Sequence, residues 1–180
     1  MLSIFTKKKL SEEKLQGLFV SGILQLVDRG FPDVAELINT DPEFEVNPNL
    51  QPNDADRFLM IVVACNLATI PKHFNDYQDA RIIDGIVRQM ANVLNIEQES
   101  LKSVVAKYQS FINRVNMPSK NILYGMSKAV FHKYELNQYQ IEYFKNMKSP
   151  NPLFIKRLDD IMFNFLWDWA EIKSKYKITE

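Results

Sequence analysis

The sequence predicts an all-α protein, a single-domain bundle of about seven or eight helices that spans residues 1–180. Apolar residues recur at helical spacing along most of the chain, and no stretch shows the strict alternation that is typical of a half-buried strand. Only five glycines are present, which disfavours a β-sandwich or a loop-rich design. A chain of 180 residues, 46% of them hydrophobic, is large enough to bury one sizeable core.

The first part of the chain predicts two helices followed by a long loop. Ser11 is expected to cap the first helix, which Gly30 should end, because a polar cap and a glycine are common helix boundaries. Pro32 suits the first position of a short second helix that ends near Asn39. The acidic stretch 40–51 is interrupted by prolines, which exclude helix before them, and predicts an extended loop.

Five further helices are predicted before the last one. Each range is bounded by a capping residue, a proline or the end of an apolar stripe, and the ranges are 53–70, 75–94, 97–115, 119–133 and 137–147. The third helix of the chain, 53–70, is apolar nearly all round. It is therefore expected at the centre of the bundle.

Residues 152–176 predict a long final helix that is apolar on two sides and lies at the centre of the bundle with the third helix. One side carries a continuous stripe of core residues, and the other carries Phe163, Leu166 and Trp167. Two interpretations are open for this second side. It belongs to the core as well, or it is an exposed patch that binds a partner, since such patches mark interfaces and tryptophan is frequent in binding hot spots.

Charge is balanced in total but not along the chain. Residues 31–60 hold seven acidic side chains against one arginine, a net charge of −6, whereas residues 101–148 hold eight basic side chains against two acidic ones, a net charge of +6. Either the basic segment forms a surface for an acidic partner, or the two segments face each other. Nucleic-acid binding is not expected, because the lysines do not share one helix face and Arg114 is the segment's one arginine.

The two histidines are the weak candidates for a metal or proton-transfer site. His73 has Asp76 three residues downstream, and His132 and Glu135 share a helix face. Their spacings match no established metal or catalytic motif. A cationic histidine at a helix end is also a common structural feature.

The sequence contains no motif for nucleophilic catalysis, nucleotide binding or cofactor binding. No such activity and no cofactor are therefore predicted. The single cysteine, Cys65, lies in an apolar run and is expected to be a buried thiol. Glycines of phosphate loops are clustered, whereas Gly17, Gly22 and Gly85 fall inside predicted helices. They are interpreted as places where two helices approach closely.

A cytoplasmic protein without a membrane span is expected. No signal peptide is visible, and the longest apolar run, 58–65, is much shorter than the roughly 20 residues of a spanning helix. Residues 1–10 are interpreted as a disordered basic terminus. The alternative is a weak contact between an anionic membrane and Leu2, Ile4 and Phe5, beside the lysines at 7–9.

These observations favour a non-enzymatic interaction or regulatory module that binds a protein partner, or associates with itself, through Phe163, Leu166 and Trp167. One alternative is a small helical enzyme or metalloprotein that uses His73 and His132 with carboxylates. The other is a carrier of a small hydrophobic ligand, which predicts a cavity lined by Phe163, Met162, Trp167 and Met126.

Overall fold

The computed structural model of the chain describes residues 7–180 and confirms the all-α prediction. Its helices are α1 (Glu12–Thr40), α2 (Asp56–Thr69), α3 (Gln78–Leu94), α4 (Gln98–Asn116), α5 (Ile122–Lys133), α6 (Glu142–Met147), α7 (Pro152–Met162) and α8 (Trp169–Lys175). Short 3-10 turns lie at Ile70–Lys72, Leu136–Tyr139 and Phe163–Phe165.

Helix α1 is a single element of 29 residues, so the prediction of two helices divided at Gly30 and Pro32 is wrong. The buried face that begins with Leu15 continues through Phe31 and Ile38 without a change of register. A proline inside a helix costs about 3 kcal/mol, and the continuous apolar face offsets that cost. The predicted start is confirmed, since the Ser11 hydroxyl accepts a hydrogen bond from the Lys14 amide at 3.3 Å.

Helix α2 lies at the centre of the bundle, as predicted. It packs against α1, α4 and α5. Its buried residues cover most of its circumference: Phe58, Ile61, Val62, Val63, Ala64, Cys65, Asn66 and Leu67.

The final segment is not one helix. α7 ends at Met162, the chain passes through the 3-10 turn Phe163–Phe165 and an extended stretch, and α8 begins at Trp169. The predicted start is confirmed, because Asn151 caps α7 and Pro152 occupies its first position. Much of the stripe predicted to face the centre is buried even though the helix is interrupted: Phe154, Leu158, Met162, Phe165 and Trp169.

A two-stranded parallel sheet joins the two ends of the described chain. Strand β1 (Lys8–Ser11) pairs with β2 (Tyr176–Thr179), with Lys8 opposite Tyr176 and Ser11 opposite Thr179. Residues 8–10 are therefore part of a strand and not of a disordered terminus. Each strand has four residues, too few for a clear periodicity signal. Residues 1–6 of the predicted basic terminus, which include Leu2, Ile4 and Phe5, lie outside the described residues.

The acidic loop after α1 is held by a partly buried ion pair between Arg157 and Asp41. The Arg157 guanidinium donates to both carboxylate oxygens of Asp41, at 2.7 and 2.8 Å, and to Glu43 at 3.3 Å. The side-chain amide of Asn151 donates to the Glu43 carboxylate at 2.6 Å. Within residues 7–180 no ion pair joins the acidic segment 31–60 to the basic segment 101–148.

Candidate interaction surface

The segment that carries the three predicted interaction residues crosses α1 in a non-helical conformation. The side chain of Asn66, on α2, fixes it through two hydrogen bonds. Its Nδ2 donates to the carbonyl of Phe165 at 2.9 Å, and its Oδ1 accepts from the amide of Trp167 at 2.7 Å. Asn66 is buried, so these bonds satisfy polar groups that water cannot reach.

Two aromatic rings of this segment lie directly on glycines of α1. A Cβ atom added at Gly22 would stand 2.6 Å from the Trp167 ring, and one added at Gly30 would stand 2.7 Å from the Phe165 ring. Trp167 also contacts Phe19 edge-on, with ring centroids 5.4 Å apart. Gly22 was predicted to mark a close approach of two helices, but it contacts the Trp167 ring, which lies between helices. The role of Gly30 is likewise a ring contact and not a helix end.

The close contact at Gly30 gives a prediction about stability. Gly30→Ala should lower the free energy of unfolding by about 1 kcal/mol, because overpacking against the buried Phe165 ring costs about 2 kcal/mol while alanine gains about 1 kcal/mol in helix propensity. Gly17→Ala, on the same helix, is the matched control. Its added Cβ would meet only the flexible end of Gln89, at 3.3 Å. This variant should be about 0.5 kcal/mol more stable than the wild type.

Urea unfolding of the two glycine variants measures both changes. If Gly30→Ala and Gly17→Ala are both more stable than the wild type, the Phe165 ring moves away from α1 without cost. If both are less stable, the Gln89 side chain cannot move away from the added Cβ at position 17.

The three predicted interaction residues differ in exposure. Phe163 is 65% exposed, whereas Leu166 and Trp167 are partly buried against the core. We call Phe163, Leu166 and Trp167 the α1 crossing. Beside it, an open groove of about 330 Å³ follows α1 and is lined by Gly22, Gln25, Leu26, Arg29 and Gly30. The sequence pattern of α1 did not indicate this groove, because it is formed where the glycines meet the crossing segment.

The structure does not bring the two histidines together. The end of α5 that carries His132 lies at the start of α2, since Arg57 donates to the Lys133 carbonyl at 2.6 Å. His73 follows the other end of α2, where its amide donates to Ile70 at 2.9 Å. The 14 residues of α2 separate these ends by roughly 20 Å.

The carboxylates beside the histidines do not complete a metal site in the described part of the chain. Asp76 and Glu135 are exposed, and no group of three or more His, Cys, Asp or Glu side chains within residues 7–180 is placed to hold a metal ion. Asn75 lies in the turn before α3, where its Oδ1 accepts from the backbone amides of Tyr77 at 3.3 Å and Gln78 at 2.9 Å. Partial burial lowers the pKa of His132, and the nearby Lys128 and Arg114 lower it further.

The residues predicted to line a ligand cavity have different environments. Met126 and Met162 are fully buried, whereas Phe163 is 65% exposed. The four side chains therefore do not enclose one common cavity.

Cys65 is buried as expected, and this burial raises the pKa of its thiol to about 12. A thiol with such a pKa is protonated at neutral pH and is a poor nucleophile.

Comparisons of this chain with known protein families, curated proteins and solved structures find no match. No helix among residues 7–180 has both the length and the apolar character needed to cross a bilayer. Any functional interpretation therefore depends on the geometry of this chain alone.

Proposed function

We propose that this protein is a non-enzymatic interaction module that docks a protein partner, or a second copy of itself, through the α1 crossing. The observation that carries the proposal is the exposure of Phe163, which leaves 65% of a large aromatic residue in contact with water. Burying such a side chain in a partner contributes about 2 kcal/mol. Aromatic anchors of this kind dominate the energetics of many interfaces.

The backbone around Phe163 supports this role because neighbouring residues hold it in place. Phe163 opens a 3-10 turn whose last residue, Phe165, is 2% exposed and rests on Gly30. Asn66 holds the residues that follow. A side chain presented by a fixed turn loses little conformational entropy when it binds, so more of its burial energy is available for affinity.

The groove along α1 supplies concave surface where Trp167 and Phe165 contact Gly22 and Gly30. Its volume of about 330 Å³ accommodates an apolar side chain of the partner. Gly22 and Gly30 contribute no side chains to it, and Leu26 is a partly buried apolar residue of its lining. An exposed ring and a shallow groove together suit a helical segment or loop of a partner.

The substitution Phe163→Asp tests the proposal, with Val93→Asp as the matched control. Val93 is 62% exposed and lies on α3, so its change of charge and loss of apolar surface are similar. Trp167→Ala is less suitable, because Trp167 packs against Gly22 and Phe19 and its loss would also destabilise the fold. Light scattering behind a sizing column gives the molar mass of each variant. A photo-crosslinking residue at position 163, and separately at position 93, identifies direct contacts.

Self-association predicts a wild-type mass above 21.0 kDa that falls to the monomer in Phe163→Asp and not in Val93→Asp. A separate partner predicts monomers together with a crosslink that forms at position 163, does not form at position 93, and is competed by the unlabelled wild-type protein. Monomers that crosslink equally from both positions, or from neither, would contradict the proposal.

A further inference from the structure

A second surface, remote from the α1 crossing in sequence, combines cations with aromatic rings. It is assembled from α2, α4 and α5, and we call it the cationic cluster: Arg57, Tyr108, Phe111, Arg114, Lys128, His132 and Lys133. Arg114 and His132 are exposed, and the other members are partly buried.

Aromatic rings hold two of the cations at defined positions. The Lys133 ammonium lies 4.4 Å from the ring centroids of both Tyr108 and Phe111. The Arg114 guanidinium carbon lies 5.4 Å from the centroid of Phe111. Such cation–π contacts hold flexible basic side chains without neutralising their charge.

The remaining members extend the positive surface. The Arg57 guanidinium carbon lies 4.6 Å from the Tyr134 ring centroid, and its Nη2 pairs with Asp54 at 3.0 Å. In the described chain, Asp54 is the one carboxylate that forms an ion pair with a member of the cluster. The Lys128 ammonium lies 4.9 Å from the Tyr124 ring centroid. Desolvation lowers the pKa of His132, and the nearby Lys128 and Arg114 lower it further.

We infer that the cationic cluster binds an acidic segment of a protein partner. Three of its cations, Arg114, Lys128 and Lys133, make no ion pair within residues 7–180. Carboxylates are complementary to such a surface, and electrostatic complementarity confers specificity and fast association. The inference is independent of the function proposed for the α1 crossing.

The arrangement of the rings favours an acidic polypeptide over a nucleic acid. Proteins that bind single strands offer open aromatic faces on which bases stack. In the cluster, Lys133 lies over the rings of both Tyr108 and Phe111, so the protein's own cation occupies ring surface that a base would need. The cations therefore remain available to carboxylates, whereas the ring surfaces under Lys133 are not available for stacking with bases.

Fluorescence anisotropy with a fluorescein-labelled octaglutamate peptide tests the inference. The variant Arg114→Gln/Lys128→Gln removes two charges of the cluster. The control Lys102→Gln/Lys120→Gln removes two exposed lysines of the same basic segment that lie outside it. The double variant should bind the peptide about tenfold more weakly than the wild type, and the control should bind within about twofold. Wild-type affinity should fall as salt rises.

Two comparisons complete the experiment. Thermal unfolding of both double variants establishes that the fold is retained, and a labelled single-stranded DNA of 12 nucleotides, about the size of one binding site, is titrated in parallel. Equal weakening in the two variants, absence of peptide binding to the wild type, or tighter binding of DNA than of the peptide would each overturn the inference.

Discussion

Replacing Asn66 with alanine is expected to lower the free energy of unfolding by about 3 kcal/mol. The change leaves the carbonyl of Phe165 and the amide of Trp167 without their hydrogen-bond partner in a region that excludes water. Urea unfolding monitored by tryptophan emission measures the effect where it arises. Both tryptophans of the chain, Trp167 and Trp169, lie in or next to the affected segment.

Asn92→Ala is the control for this variant. Asn92 is an exposed residue of α3, so its replacement should change stability by less than about 0.5 kcal/mol. A loss in Asn66→Ala no larger than in Asn92→Ala would show that the bonds to Phe165 and Trp167 are dispensable. The Asn66 variant should also weaken any binding through Phe163, because the turn that presents this residue would no longer be held.

Asn66 also explains why the sequence did not reveal the interruption of the final segment. Residues 163–167 contain no glycine or proline, and their apolar spacing continues that of α7. The interruption is stabilised by a hydrogen bond between residues 99 positions apart. Local patterns carry no record of such a contact, so they predicted an uninterrupted helix.

Helix α1 shows the opposite case. Gly30 and Pro32 are strong local signals for a helix boundary, yet the helix continues because its buried face is continuous from Leu15 to Ile38. Features that depend on neighbouring residues were predictable, as at Ser11 and Asn151. Features decided by packing between distant segments were not.

The same distinction applies to the candidate surfaces. The exposure of Phe163 agrees with one of the two interpretations left open for the second side of the final segment, whereas Leu166 and Trp167, on the same predicted side, are partly buried. A basic surface for an acidic partner was one of the two alternatives for residues 101–148. The members of the cationic cluster were not predictable, since the lysines and arginines of each helix taken alone do not share a face. Its members converge because α2, α4 and α5 pack together, and aromatic residues between them fix the cations.

Replacing Arg157 with alanine is expected to lower the free energy of unfolding by about 3 kcal/mol. The Asp41 side chain is 1% exposed, so removal of the guanidinium leaves a buried carboxylate without its counter-ion and with the Glu43 backbone amide, at 3.0 Å, as its remaining donor. The hydrogen bonds with Asp41 and Glu43 also raise the pKa of Arg157, so the guanidinium stays charged wherever the protein is folded. Urea unfolding again measures the loss.

Arg157→Lys separates the charge of this side chain from its geometry. Lysine keeps the charge but cannot donate to both oxygens of Asp41 in the parallel manner of a guanidinium. The Arg157→Lys variant should lose about half as much free energy of unfolding as the Arg157→Ala variant. A lysine variant as stable as the wild type would assign the whole effect to charge. An alanine variant as stable as the wild type would show that water reaches Asp41.

The acidic loop provides a local readout of the same ion pair. Glu43 and Glu45 lie two and four residues after Asp41, and Glu43 is held by Arg157 and Asn151. A glutamate-specific protease should therefore cut the loop faster in Arg157→Ala than in the wild type, under conditions where both proteins are folded. Faster cleavage of Arg157→Ala while both proteins remain folded would show that Arg157 orders the loop itself. Equal cleavage would show that the backbone contacts of Phe44 and Glu45 with Gln140 and Tyr139 are sufficient.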